Sequence, residues 1–309
     1  MHEAVTRHDD GIYFGLDEQE YHRDMALGSS DLKKLRESPP TYWFESPLNP
    51  LWEPKDSTPA QQLGTARHKM VLEGADAFKR RYMPRTYSGS TREGKAENDA
   101  IAKAGKIGLK FDDYAQIMQS AAMIRSNPAI REAFTGGCGS EVSIFWTGAD
   151  GLRRKARIDY WKMNASVDVK NVANQFTRDF RKACRDSVAN YRYDVQAAHY
   201  AEARAAAFKL WQDGLAFGEY DRKLVDPCMH TNPVAWVWIF YQSAGAPLTW
   251  GTVLSPANPI LEVARRDVDQ AISNYREFMD RFGPETPWII DDPLTELDAN
   301  ELPAWWARY

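Results

Sequence analysis

Apolar residues recur at helical spacing from Ala60 to about Glu73, where Leu63, Ala66, Met70 and Leu72 form much of one side. The same period predicts helices over 96–106 and 111–134, the second ending near Gly136 and Gly137. A long helix follows from about Arg192 to Trp211, and a last one from about Asn258 to Phe282. Ser29, Ser30 and Asp31 read as the N-cap of a short amphipathic helix through Leu32 and Leu35 that ends before Pro39 and Pro40. From Ser140 the period becomes two: a strand over Glu141 to Trp146, a turn at Gly148 to Gly151, a strand over Arg153 to Trp161, a second turn, and a strand over Ser166 to Val172. That is an antiparallel meander. Two apolar, aromatic strands, Ala235 to Tyr241 and Leu248 to Leu254, flank a glycine-containing turn.

Three stretches lack a period. Residues 1–28 are polar and expected to be extended, and a Pro-rich connector runs from Ser46 to Pro59. The basic stretch from Lys79 to Lys95, with Arg80, Arg81, Arg85 and Arg92, is expected to be an exposed, mobile loop. The order helix, meander, helix, hairpin, helix predicts an α/β fold with a mixed central β-sheet flanked by helices. We expect one domain over residues 1–309, divided into an N-terminal extension (1–59), a core (60–256) and a C-terminal helix and tail (257–309). No internal repeat is found.

The bulk numbers then narrow the class. No run approaches the roughly 20 apolar residues that span a bilayer, and Met1 to Asp10 has no apolar stretch that a secretory signal would need, so the expectation is cytoplasmic, with no membrane. Cys138, Cys184 and Cys228 are three and widely spaced, which argues against a disulfide framework and against a four-thiolate metal site. A net charge of -4 excludes nothing about nucleic acid, because local basic groups matter more than the sum. Two such groups exist: the Lys79–Lys95 stretch, and Arg178, Arg181, Lys182 and Arg185. Each could track a phosphate backbone or form a charge-balanced solvated surface.

The candidate chemistry centres on Arg157 to Lys170. Asp168 and Lys170 are two apart, so on a strand they share a face while Val169 points into a core. Asp159 lies on the preceding strand, across a turn of Lys162, Met163, Asn164 and Ala165. Two carboxylates and a lysine that converge could hold a metal ion and an attacking water; alone, the triplet also suits a solvated hairpin. His68 on the first long helix, Glu141, and the helix-face pair Gln196 and Tyr200 each have a structural reading as well.

Their order along the chain resembles the motif series of the PD-(D/E)XK nuclease superfamily. Within it the chain is most similar to the exonuclease VIII, or RecE-type, branch carried by phages and prophages. The resemblance rests on Leu27-Gly28-Ser29-Ser30-Asp31-Leu32-Lys33, Leu63 to Glu73 with Gly64 and His68, Asp168-Val169-Lys170, and Tyr193 to Tyr200, and spans roughly Ser29 to Leu254. Two departures stand out: Arg67 precedes His68 where relatives have a small or apolar residue, and Ile158 precedes Asp159 where the superfamily name has proline.

The resemblance implies a restriction-endonuclease-like core in which His68, Asp159, Asp168 and the Val169 carbonyl bind metal, with Glu141 completing the site directly or through water. Lys170 would position or deprotonate water, and Gln196 and Tyr200 would orient the nucleophile, the scissile phosphate or Lys170. Oxygen ligands suit Mg2+, and the histidine predicts that Mn2+ substitutes. Ser29, Ser30 and Lys33 could bind a terminal phosphate or form an ordinary helix cap. Arg80, Arg81, Arg85, Arg178 and Arg181 are candidate DNA contacts. The activity implied is metal-dependent digestion of linear double-stranded DNA from the 5′ end, leaving 3′ single strands for an annealing protein in a bacterial host. A homo-oligomer, a tetrameric ring, is implied with it. An endonuclease or single-strand exonuclease with the same site, and a non-catalytic DNA-binding recombination protein, are the alternatives.

Overall fold

The computed structural model describes residues 7–53, 58–172, 179–231, 233–242, 245–246, 248–303 and 305–306. The chain opens with β1 (Gly11–Phe14), α1 (Glu18–Arg23), α2 (Ser29–Glu37) and α3 (Pro39–Phe44). Next come α4 (Pro59–Arg81), β2 (Tyr82–Arg85), α5 (Arg92–Lys103), β3 (Ile107–Lys110), α6 (Phe111–Ser126) and α7 (Pro128–Ala133). The meander is β4 (Gly137–Thr147), β5 (Arg153–Lys162) and β6 (Ala165–Asn171). After it come α8 (Phe180–Asn190), α9 (Tyr193–Gln212), β7 (Ala216–Gly218), α10 (Arg222–His230), β8 (Ala235–Tyr241), β9 (Thr249–Leu254) and α11 (Pro259–Phe282).

Seven strands form one mixed sheet in the order β7-β1-β4-β5-β6-β8-β9. The β1–β7 and β6–β8 pairs are parallel and the others antiparallel. Alternation along the strands divides the core into two faces. Ile144 and Trp146 of β4, with Trp236, Trp238 and Phe240 of β8, pack with Ala197, Ala203 and Ala207 of α9. On the other face Val167 and Val169 of β6 and Ile239 and Tyr241 of β8 meet Ala66, Met70 and Val71 of α4 and Ile117, Ala121 and Ile124 of α6. A further layer, Leu32 and Leu35 of α2 with Ala264, Val268 and Ala271 of α11, covers Val195 and Ala198 of α9. The α/β fold with a mixed, helix-flanked sheet is the one expected. Among the described residues, no helix is long and apolar enough to cross a membrane.

Several local expectations are corrected. The described part of the expected extended stretch 1–28, residues 7–28, is not simply extended: β1 pairs with β4, and α1 follows with Asp17 accepting from Gln19 N at its start. Within the stretch Lys79 to Lys95 only residues 86–91 are a loop. Gly74 (φ 85°) breaks α4, a second helical segment runs on to Arg81, β2 pairs in parallel with β3, and Thr91 caps α5. Helix 111–134 is two helices, because Asn127 caps a new one that starts at Pro128. The cap of α2 is Gly28 rather than Ser29, with Asp31 accepting from the Gly28 amide at 2.9 Å. α3, β7 and α10 were not foreseen. Arg178 lies outside the described residues.

Candidate active site

The site forms where β5 and β6 part. Their backbone pairing ends at Tyr160–Val167, and beyond it the Asp159 carboxylate accepts from the Val169 amide at 2.8 Å. A buried amide that loses its strand partner needs another acceptor, so the divergence itself fixes Asp159. On β4, Glu141 sits between the pairs Ser140–Tyr160 and Val142–Ile158, and so opposite Asp159, with a left-handed backbone (φ 52°). Strain of this kind on a non-glycine residue persists only where its surroundings enforce it. Arg157 supplies part of that: its Nε donates to Glu141 at 2.6 Å, and its NH1 donates to Ser143 Oγ at 2.9 Å and the Leu16 carbonyl at 3.0 Å.

His68 reaches down from α4 between the two carboxylates. Its Nδ1 is 3.1 Å from Glu141, and its Nε2 is 2.9 Å from Asp159 and 3.3 Å from the Val169 carbonyl oxygen. Burial opposes the imidazolium, but Asp159 and Glu141 outweigh it and hold the ring's pKa well above the usual histidine value. Burial likewise opposes the Glu141 carboxylate, yet its hydrogen bond to His68 and the Arg157 charge bring its pKa down to about 2.

Asp168 and Lys170 occupy the α9 side of β6. Asp168 is 1% exposed; its Oδ1 accepts from Lys170 Nζ at 2.8 Å and from Gln196 Nε2 at 3.0 Å, while Oδ2 is buried without a hydrogen-bond partner. Burial lifts its pKa to about 6, against the pull of Lys170. Burial disfavours the lysine ammonium, but Asp168 and Asp159 raise its pKa above the ordinary lysine value. Lys170 is therefore a held cation that donates.

The structure thus brings together His68, Glu141, Asp159, Asp168, Val169, Lys170 and Gln196. Gln196 engages Asp168 rather than Lys170. Tyr200 is buried beneath the cleft, where burial pushes its phenol up to about 12, and it lies near the Arg157 backbone and the Tyr21 hydroxyl. A cleft of about 610 Å3 opens over His68, Glu141, Asp159 and Tyr200, with Arg81, Lys69 and Arg157 on its wall. Lys33 lies near Lys170, which, after burial, is the main influence lowering its pKa to about 8. Arg80 and Arg81 end α4, Arg85 is on β2, and Arg181 starts α8; of these, only Arg81 lines the cleft. Arg157 and Tyr193 were missed. Arg157 is two residues from Asp159 on one strand face, and Tyr193 is three before Gln196 on one helix face, so spacing could have found both.

The donor set fits a divalent cation. One atom each from His68, Glu141 and Asp159 lie within 4.8 Å of one another, the Val169 carbonyl is adjacent, and the imidazole sits between the carboxylates. Mixed oxygen and nitrogen donors suit hard to borderline ions.

No curated protein matches the chain. The fold is similar to the crystal structure of a candidate exonuclease from Eubacterium rectale, with 15% identity over 91% of this chain and 97% of that one and a TM-score of 0.52. A family model described as a PDDEXK-like domain of unknown function (DUF3799) matches residues 28–210, more than half of the chain, including every residue of the cluster around His68 and Lys170. The chain therefore belongs to this PDDEXK-like family, within the PD-(D/E)XK nuclease superfamily.

Proposed function

We propose that the protein is a divalent-metal-dependent exodeoxyribonuclease of the RecE type, which digests linear double-stranded DNA from the 5′ end. The observation that carries the reading is the meeting of two separately held groups at one strand divergence: His68, Glu141 and Asp159 on one side, Asp168 and Lys170 on the other. His68, Glu141, Asp159 and the Val169 carbonyl would hold Mg2+ or Mn2+, with Asp168 Oδ2 as a further free acceptor. The ion would supply an activated water and charge compensation at the phosphate. Lys170, kept protonated, donates toward the phosphate oxygens, where a positioned cation stabilises developing charge. Asp168 and Gln196 fix the direction of its ammonium, and Arg157 keeps Glu141 aimed at His68. The reading includes a strand-annealing partner and a ring-shaped homo-oligomer, on the strength of the resemblance.

The test is digestion of a linear duplex labelled separately at each 5′ and 3′ terminus, with Mg2+ or EDTA, for wild type, Asp168→Asn and a closed-circle control. Metal-dependent loss from the 5′ ends, absent in the variant and on the circle, is expected. Cutting of the circle would identify an endonuclease instead, and no cutting with Mg2+ or with added Mn2+ would leave a DNA-binding protein.

A further inference from the structure

Arg192, which introduces α9, has a left-handed backbone (φ 48°, ψ 52°). Its guanidinium holds both oxygens of Asp194, at 3.1 and 2.9 Å, and also donates to Asp267 of α11. The second Asp267 oxygen accepts from Arg36 of α2 at 2.9 Å. The bend is thus tied to two other helices, in a conformation that only such ties would keep in a non-glycine residue.

The bend brings Tyr191 and Tyr193 ring against ring, with centroids 5.6 Å apart and planes 23° from parallel. Tyr193 is flanked by two ammonium groups, Lys170 Nζ at 5.0 Å and Lys33 Nζ at 5.5 Å from its centroid. Tyr191 is the outer ring and is 62% exposed. An aromatic pair therefore leads from solvent to the lysine of the candidate active site.

We propose that Tyr191 and Tyr193 form a stacking platform for a terminal nucleobase that has left the duplex, beside the phosphate held at Lys170. The inference rests on the nuclease reading and adds a preference for frayed or single-stranded termini. Aromatic faces stack on any base without reading its sequence, and the flanking lysines complement the phosphates on either side of that base. Because the bend is tied down by four side chains, the rings are already in place and little freedom is lost on stacking.

The test uses the full chain in EDTA with oligonucleotides carrying 2-aminopurine at the 5′ terminus, either single-stranded or unpaired at the end of a duplex. Wild type and Tyr191→Phe should quench the fluorophore on binding. Tyr191→Ala should lose the quench and bind about tenfold or more weakly, the scale of one lost base stack. Tyr191 is exposed, so folding is not at stake, and Tyr191→Phe retains the ring. Unchanged quench and affinity in Tyr191→Ala, in a protein that still cuts DNA when metal is restored, overturns the platform alone. Absence of both DNA binding and metal-dependent cutting in wild type overturns the platform and the nuclease reading together.

Discussion

Arg204 of α9 is 3% exposed and does no chemistry, yet it holds the hairpin that carries the site. Its NH1 donates to the carbonyls of Lys162 (3.0 Å) and Ala165 (3.4 Å), its NH2 to those of Met163 and Cys228 (both 3.2 Å), and its guanidinium lies 4.4 Å from the Trp161 ring centroid. Arg204→Met keeps the volume and removes every one of these bonds. The Lys162 and Met163 carbonyls, at a turn, can turn to water, but Ala165 and Cys228 are buried, and each stranded acceptor costs about 1–3 kcal/mol. The lost cation–π contact adds about 1 kcal/mol. Against this, burial that brings the guanidinium pKa down to about 10 disfavours the charge, and its removal offsets about 3 kcal/mol. The net expectation is a loss centred on about 2 kcal/mol, read as a lower urea midpoint at unchanged slope. Arg204→Lys, able to recover part of the bonding, should fall between. Because the same helix carries Gln196, nuclease activity of Arg204→Met should fall even well below its melting temperature. A stability within about 0.5 kcal/mol of wild type would refute the reasoning.

Four further outcomes are expected. Lys170→Ala should abolish turnover and retain duplex binding in a gel-shift assay; undiminished turnover would remove Lys170 from the mechanism. Mn2+ should raise the melting temperature of wild type and far less that of Asp159→Asn, since an ion that binds only the folded state stabilises it; equal shifts in both would place the ion elsewhere. His199 is fully buried beside the Lys155 carbonyl, and burial lowers its pKa to about 4. A depressed folded value means stability present above the unfolded pKa of about 6.5 and lost as pH falls toward about 4, amounting to about 3 kcal/mol. Asp168, raised to about 6, acts with the opposite sign in much of that window, so the diagnostic is the difference between wild type and His199→Gln: the variant should lose less stability on acidification. Gly218→Ala should detach β7 from β1, because φ is 91° and a Cβ would lie 2.1 Å from the Phe14 carbonyl oxygen; unaltered unfolding would contradict that geometry.

What could be read in the sequence follows from how local its cause is. The β5–β6 hairpin, α9 and α11 announce themselves because their periods are long and their ends carry a turn or a cap, as Asn258 does for α11. β1 and β7 do not. They are four and three residues long and owe their strand state to partners more than a hundred residues away: β1 pairs with β4 and β7, and β7 with β1. The stretch after Gly74 failed for a different reason: β2 owes its strand state to parallel pairing with β3, some 25 residues further on, which no local period announces.

The site divides in the same way. Asp168 and Lys170 were legible because two residues on a strand must share a face, and Gln196 and Tyr200 because four residues on a helix must. That only Gln196 reaches Asp168, while Tyr200 lies deeper beneath the cleft, depends on how far α9 slides along the sheet, which no single helix encodes. The conformation of Glu141 is further still from local cause. Strand alternation alone would set it opposite Asp159 as two like charges, a destabilising pair, and the structure keeps them there by adding His68 from one element and Arg157 from another. The raised pKa of His68 follows from its place between these two carboxylates, which outweighs its burial. A divalent cation held by His68, Glu141 and Asp159 would compensate the same two carboxylates directly.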